Sequence, residues 1–189
     1  MGSRLRIGAL VSLCLAAGAT GGAFWANGRN VEVEPAANWP ADAPVSLDVS
    51  RPTLVLFVHP GSPEARATLK EVALLQKRLR GRVAVSVRVY RPAGPVAGWE
   101  RLPVWKEAGA VSGDVAADPE GEIARSLGVN SAESAVVYAP SGRLLFQGQV
   151  VPRAGRGFSE AARLRRLLEA WRGLENGPVV GVSGVKSKA

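Results

Sequence analysis

Reactive and metal-binding side chains are scarce in this 189-residue chain, which has one cysteine, Cys14, one histidine, His59, and one methionine. A single cysteine forbids an intramolecular disulfide. A structural zinc site draws four ligands from Cys and His, and these two residues cannot supply them. A Cys-His or Ser-His-Asp centre would have to use His59. Acidic residues are missing from the N-terminal stretch, with none before Glu32. Aromatics are few, at 6%, but hydrophobic residues reach 47% against 21% charged. That balance is globular and excludes wholesale disorder, collagen and coiled coil. The length suits one domain with extra segments. Lys plus Arg number 24 against 16 Asp plus Glu, a formal net charge of +8.

Ile7 to Trp25 is a nineteen-residue, largely apolar stretch without a charge, preceded by Arg4 and Arg6. At about 1.5 Å per residue it nearly spans a hydrocarbon core of about 30 Å. The flanking arginines keep residues 1–6 in the cytoplasm and export the rest. Residues 7–25 are therefore expected to be an uncleaved signal anchor. The alternative is a signal peptide cleaved after Ala17-Gly18-Ala19, but the apolar run continues through Phe24-Trp25. Lipid attachment at Cys14 fits less well, because Leu13 stands where a small residue is usual. As a lipid-facing apolar residue Cys14 would be inert. The expected location is the inner (cytoplasmic) membrane, single pass, with the C-terminal domain in the periplasm. A cysteine-free exported part suits an oxidising compartment.

Residues 26–50 carry Pro35, Pro40 and Pro44 with Glu32, Glu34, Asp42 and Asp48, and read as an extended linker. Trp39 is a docking point or covers a patch of the domain. The domain is expected over 51–174. Thr53–His59 is a near-continuous apolar run, the mark of a strand buried on both faces. Ser62 is a candidate cap, with Pro63 at the first helical position and Glu64 beside it. The helix is expected from Pro63 to Arg80, with Ala65, Leu69, Val72, Leu75 and Leu79 inward and Gly81 ending it. A second strand over 82–90 makes a right-handed parallel crossover. A short helix opening at Pro103 and a third strand over 114–118 follow. A short helix over 120–127 comes next, then an antiparallel hairpin of 134–138 and 143–147 around Ser141-Gly142. The last helix is expected over 158–174, capped by Ser159, with Leu164, Leu167, Leu168 and Trp171 inward. The Gly-, Ser- and Val-rich tail, 175–189, is expected to be disordered.

This order of elements resembles a thioredoxin-like domain: α/β, a three-layer sandwich with a mixed central sheet, here preceded by one transmembrane helix. The local motifs resemble the membrane-anchored extracytoplasmic thioredoxin-like proteins called RedB. The matching stretches are Phe57-Val58-His59-Pro60, Trp99-Glu100, Gly113-Asp114-Val115, Asp118-Pro-Glu-Gly121-Glu-Ile-Ala124, Leu127-Gly128-Val129, Val137-Tyr138 and Gly142-Arg-Leu-Leu-Phe146. They cover about residues 50–172. The resemblance implies two redox cysteines after His59-Pro60, and this chain has Ser62 and Glu64 in those places. A hydroxyl at the helix end has no thiolate chemistry, and a carboxylate at Glu64 repels an incoming thiolate. The proline that precedes the hairpin in the family is also replaced, by Glu133-Ser134-Ala135.

The implied protein is a membrane-tethered, redox-inactive domain without catalytic residues. It would act by binding, as an accessory or structural subunit of a membrane or extracytoplasmic complex, electron-transfer complexes included. The alternative is a thiol-disulfide oxidoreductase, which the missing cysteine pair disfavours. The expected binding residues are His59, Gly61, Ser62, Glu64 and Arg66, with no cofactor and no metal. A metal ligand role for His59 with Glu64, and a Ser62-His59-Asp hydrolase, weigh less than local hydrogen bonding by a lone histidine. Asp118-Pro-Glu-Gly-Glu122 is better read as a turn before a helix than as a calcium loop. The expected partners are the membrane, through residues 7–25, and a protein, with no nucleic acid. Arg163 and Arg166 could meet an anionic surface, or belong to a solvated helix face. A cysteine placed at position 62 is expected to titrate below the ordinary thiol value, because a helix N-terminus favours a thiolate.

Overall fold

The computed structural model describes residues 36–150 and 159–171. The expected anchor at 7–25, Cys14 and the tail from 175 lie outside them. Among the described residues no helix is long and apolar enough to cross a membrane.

Five strands form one sheet: β1 (Thr53–Val58), β2 (Ala84–Arg91), β3 (Asp114–Pro119), β4 (Ser134–Tyr138) and β5 (Leu144–Gln149). The spatial order is β3-β2-β1-β4-β5. β1 runs parallel to β2, and β2 to β3, while β4 is antiparallel to both β1 and β5. Every residue of β1 is buried, as expected of a strand covered on both faces. Its side chains alternate between two cores. Leu54, Leu56 and Val58 face one, Val55 and Phe57 the other, which is the period of two that a pleated strand imposes.

The first core lies under α1 (Ala65–Leu79), α2 (Pro103–Val111) and α4 (Ser159–Glu169). Leu69, Val72, Leu75 and Leu79 supply the stripe of α1, and Leu164, Leu167 and Leu168 that of α4. Trp171 packs partly buried against the same core. The second core lies under the short α3 (Glu122–Ser126), with Ile123 and Ala124. A central parallel pair, an antiparallel hairpin beside it and helices on both faces make the thioredoxin-like arrangement.

The helices are shorter than expected: α3 spans Glu122–Ser126 and not 120–127, α4 ends at Glu169 and not 174, and both ends of α1 move. The α-helical bonds of α1 start at Thr68 N–H to Glu64 O, 2.9 Å, so the helix begins at Ala65 and not at Pro63. Residues 62–65 form a tighter turn first, with Ala65 N–H on Ser62 O at 3.3 Å. At the other end Arg80 itself takes the left-handed conformation, φ 49°, ahead of Gly81 at φ 77°. The side chain of Ser159, expected to cap α4, lies outside the described set.

Residues 36–50, expected within an extended linker, lie against the domain. Trp39 N–H donates to Gly142 O at 2.7 Å and Leu144 N–H to Ala37 O at 2.9 Å, around an isolated Asn38–Arg143 bridge. The Trp39 ring meets Tyr138 edge-on at 5.0 Å. Tyr138 donates its hydroxyl to Ala36 O at 3.0 Å, and Val45 is buried in the second core. Gly142, whose carbonyl accepts the Trp39 N–H, takes φ 85°, a left-handed conformation that residues with a Cβ rarely adopt.

Candidate functional site

The carboxyl end of β1 brings together His59, Ser62, Glu64, Tyr90 and Glu133. β1 ends at Val58 and the chain turns, with Ser62 N–H donating to His59 O at 2.9 Å. Within that turn Gly61 N–H donates to His59 Nδ1 at 3.1 Å. The Nδ1 lone pair is spent locally, so a neutral ring carries its proton on Nε2. The ring stacks on Tyr90 from β2 at 4.9 Å and 24°. Burial holds the imidazole below its ordinary value, which favours the neutral form.

Ser62 and Glu64 are bonded to each other. Ser62 Oγ accepts Glu64 N–H at 3.1 Å and donates to Glu64 Oε2 at 2.8 Å. The first bond closes a local turn ahead of the helix and is not the cap expected of Ser62: Glu64 holds the N-cap position of α1, and no side chain caps that helix. The second occupies the hydroxyl proton with a carboxylate. Among the described residues no bond joins the His59 ring to Ser62, so the imidazole is not placed as a base for that hydroxyl. Arg66, in the first turn of α1, pairs with Glu107 of α2 at 2.9 Å and makes no bond to Ser62 or Glu64. It borders a shallow apolar groove between α1 and α2 floored by Leu69, Ala73 and Val111.

Glu133 is a site residue whose role the sequence did not disclose. It stands where the resemblance expects a proline, buried, with φ 55°. Its Oε1 accepts His59 N–H at 3.1 Å, and its carbonyl accepts Val150 N–H at 2.9 Å. A carboxylate therefore ties the loop before β4 to the end of β1. The only signal was the replaced proline.

Three further features lie outside the Ser62–Glu64 pair, the first of them opposite Tyr90 in the β2–β3 register. Asp118 at the end of β3 accepts Ile123 N–H at 2.8 Å, while Gly121 N–H closes a turn onto Asp118 O at 3.3 Å. Burial pushes the Asp118 carboxyl up against the pull of the Ile123 and Ala124 N–H groups. The turn reading of 118–122 is the one observed. A cleft of about 560 Å³ opens at the ends of β2 and β3, lined by Arg91, Trp99, Glu100 and Glu120 among others, and not by Ser62 or Glu64. On α4, Arg163 lies over the Phe146 ring at 5.8 Å and Arg165 pairs with Glu71 at 2.9 Å, while Arg166 is exposed.

No protein-family model and no curated protein matches the sequence. Solved structures do. A hypothetical protein of Sinorhizobium meliloti is similar with a TM-score of 0.54 and 19% identity over 71% of this chain and 83% of that one. A secreted Mycobacterium tuberculosis disulfide oxidoreductase homologous to E. coli DsbE gives 0.48 and 16% over 64% and 82%. A putative thioredoxin from Neisseria meningitidis gives 0.49 and 16% over 67% and 78%. Identities this low concern the fold alone, and it is the order and pairing of the five strands that make the fold thioredoxin-like. Function has to be argued from the site.

Proposed function

We propose that this is a RedB-type thioredoxin-like protein whose redox centre has become a binding surface. It is tethered to the inner membrane by residues 7–25 and works in the periplasm as an accessory subunit of a membrane or extracytoplasmic complex. Its partner is a protein, met through His59, Gly61, Ser62, Glu64 and Arg66. The observation that carries the reading is the Ser62–Glu64 pair, at the helix start where the resemblance puts a thiol pair. Thiol-disulfide exchange requires a thiolate attacking a disulfide sulfur. A hydroxyl bonded to a carboxylate cannot take that role, whereas a neutral imidazole N–H, a carboxylate and a guanidinium can all hold a polar partner.

The test is reduction of insulin disulfides by the full chain. The wild type and Cys14→Ser should both match the protein-free control. Thiol-dependent turnover by the wild type, abolished by Cys14→Ser, would overturn the proposal.

A further inference from the structure

Four cations crowd one end of the domain without acidic partners among the described residues. Lys77, Arg78, Arg80 and Arg82 fall within six residues, and no acidic residue occurs between Glu71 and Glu100. All four side chains are exposed. None makes an ion pair or side-chain hydrogen bond to a described residue. Cations in the last helical turn complement the dipole, and that accounts for Lys77 and Arg78, which lie in the last turn of α1. It does not account for Arg80 and Arg82, which lie past the helix. Arg51 closes the cluster with a bond from its guanidinium to Gly81 O at 2.6 Å, its own charge met by Asp48 at 2.7 Å.

The chain enters the domain at this same end. Thr53 at the start of β1 is opposite Ala84 at the start of β2 and Tyr138 at the end of β4. Ala84 N–H donates to Pro52 O at 2.9 Å, and the Tyr138 hydroxyl holds Ala36 O. Residues 26–35, at about 3.3–3.6 Å each, reach roughly 35 Å at most. A tether that short, leaving from the basic end, keeps that end near the bilayer surface. The Ser62–Glu64 site stands at the other end of β1, turned away.

From this placement we infer that Lys77, Arg78, Arg80 and Arg82 dock the domain on anionic phospholipid, fixing its orientation with the binding site facing away from the membrane. The inference rests on the tether reading. Each basic residue near an anionic lipid surface strengthens docking about fivefold, and the attraction is screened by salt.

The test uses the full chain, with a fluorophore at Val49→Cys in a Cys14→Ser background. Val49 is 83% exposed and two residues from Arg51. The chain is inserted into nanodiscs of phosphatidylcholine alone or with phosphatidylglycerol, each carrying headgroup quencher. Quenching should appear with phosphatidylglycerol, fall as salt is raised, and be lost in Arg78→Gln/Arg80→Asn/Arg82→Gln. That variant should weaken docking roughly a hundredfold; asparagine suits the left-handed position of Arg80. Equal quenching in both discs, or quenching that ignores salt and the variant, overturns the inference while the chain stays in the disc. Release of the whole chain from phosphatidylglycerol discs by salt overturns the tether reading and leaves the cluster as the lipid contact. Native membranes form the last arm. If they shield the label in a salt-dependent way while phosphatidylglycerol discs do not, the cluster serves an acidic protein and the lipid inference is overturned.

Discussion

A thiol introduced at position 62 would meet two opposing influences, and the structure reverses the outcome expected from sequence. The helix start favours a thiolate, since Glu64 N–H already points at the side-chain atom of residue 62 from 3.1 Å. Such a terminus contributes about 0.3–1 kcal/mol, or about 0.2–0.7 pKa units at 1.36 kcal/mol per unit. The Glu64 carboxylate, 2.8 Å from Ser62 Oγ, opposes it. Two charges about 4 Å apart repel by about 1 kcal/mol in water and about 4 kcal/mol at an effective dielectric constant near 20. Both side chains are half-buried, so repulsion of about 1–3 kcal/mol is appropriate, and it exceeds the helix contribution. In a Cys14→Ser background, Ser62→Cys should therefore titrate at or above the ordinary thiol value of about 8.5. Ser62→Cys/Glu64→Gln should titrate about 1–2 units lower than that single variant. The pH dependence of alkylation by iodoacetamide reads both values. Equal thiol pKa values with and without the Glu64 carboxylate would refute the pairing on which the site description rests.

Leu69→Ala should cost about 2–5 kcal/mol in urea unfolding, since the side chain is fully buried in the first core. A change within about 0.5 kcal/mol, the range of surface substitutions, would mean that α1 is rotated from the position described. Asp114→Ala should cost about 1.5–3 kcal/mol. It leaves the Arg88 guanidinium, 4% exposed, without the carboxylate that accepts from it at 3.0 and 3.2 Å. The figure stays below that of a fully buried pair because the Asp114 side chain is 55% exposed. The pH dependence of stability should include a contribution from His59. Its folded value lies below 6.5, so above about 6.5 the contribution is fully present. As pH falls through that value the unfolded chain binds the proton first, and stability declines toward the lower folded value. His59→Gln should lose that part of the slope in urea midpoints taken between about pH 7 and about pH 5, and an unchanged slope would exclude a buried imidazole.

The elements that the sequence determined by itself are those whose signal is a local repeat. β1 was legible because a strand covered on both faces is apolar at every position, and α1 because Leu69, Val72, Leu75 and Leu79 recur on one helical face. The Ser141-Gly142 hairpin followed from turn chemistry. The replaced residues at 62 and 64 were legible once the strand and helix around them were placed. Tertiary structure decided the rest, because polar pairing depends on which distant segments meet. Nothing in the sequence marked a partner for Arg88 within β2, and it was parallel pairing with β3 that brought Asp114 beside it. Glu133 was only a missing proline, until the antiparallel β1–β4 pairing brought its carboxylate to His59 N–H, across 74 residues of sequence. Residues 36–50 have the proline and charge content of a linker, and composition alone carries no record that Tyr138 and Gly142 bind them. Periodicity records which face of an element is buried, but only the register between elements settles which donor meets which acceptor.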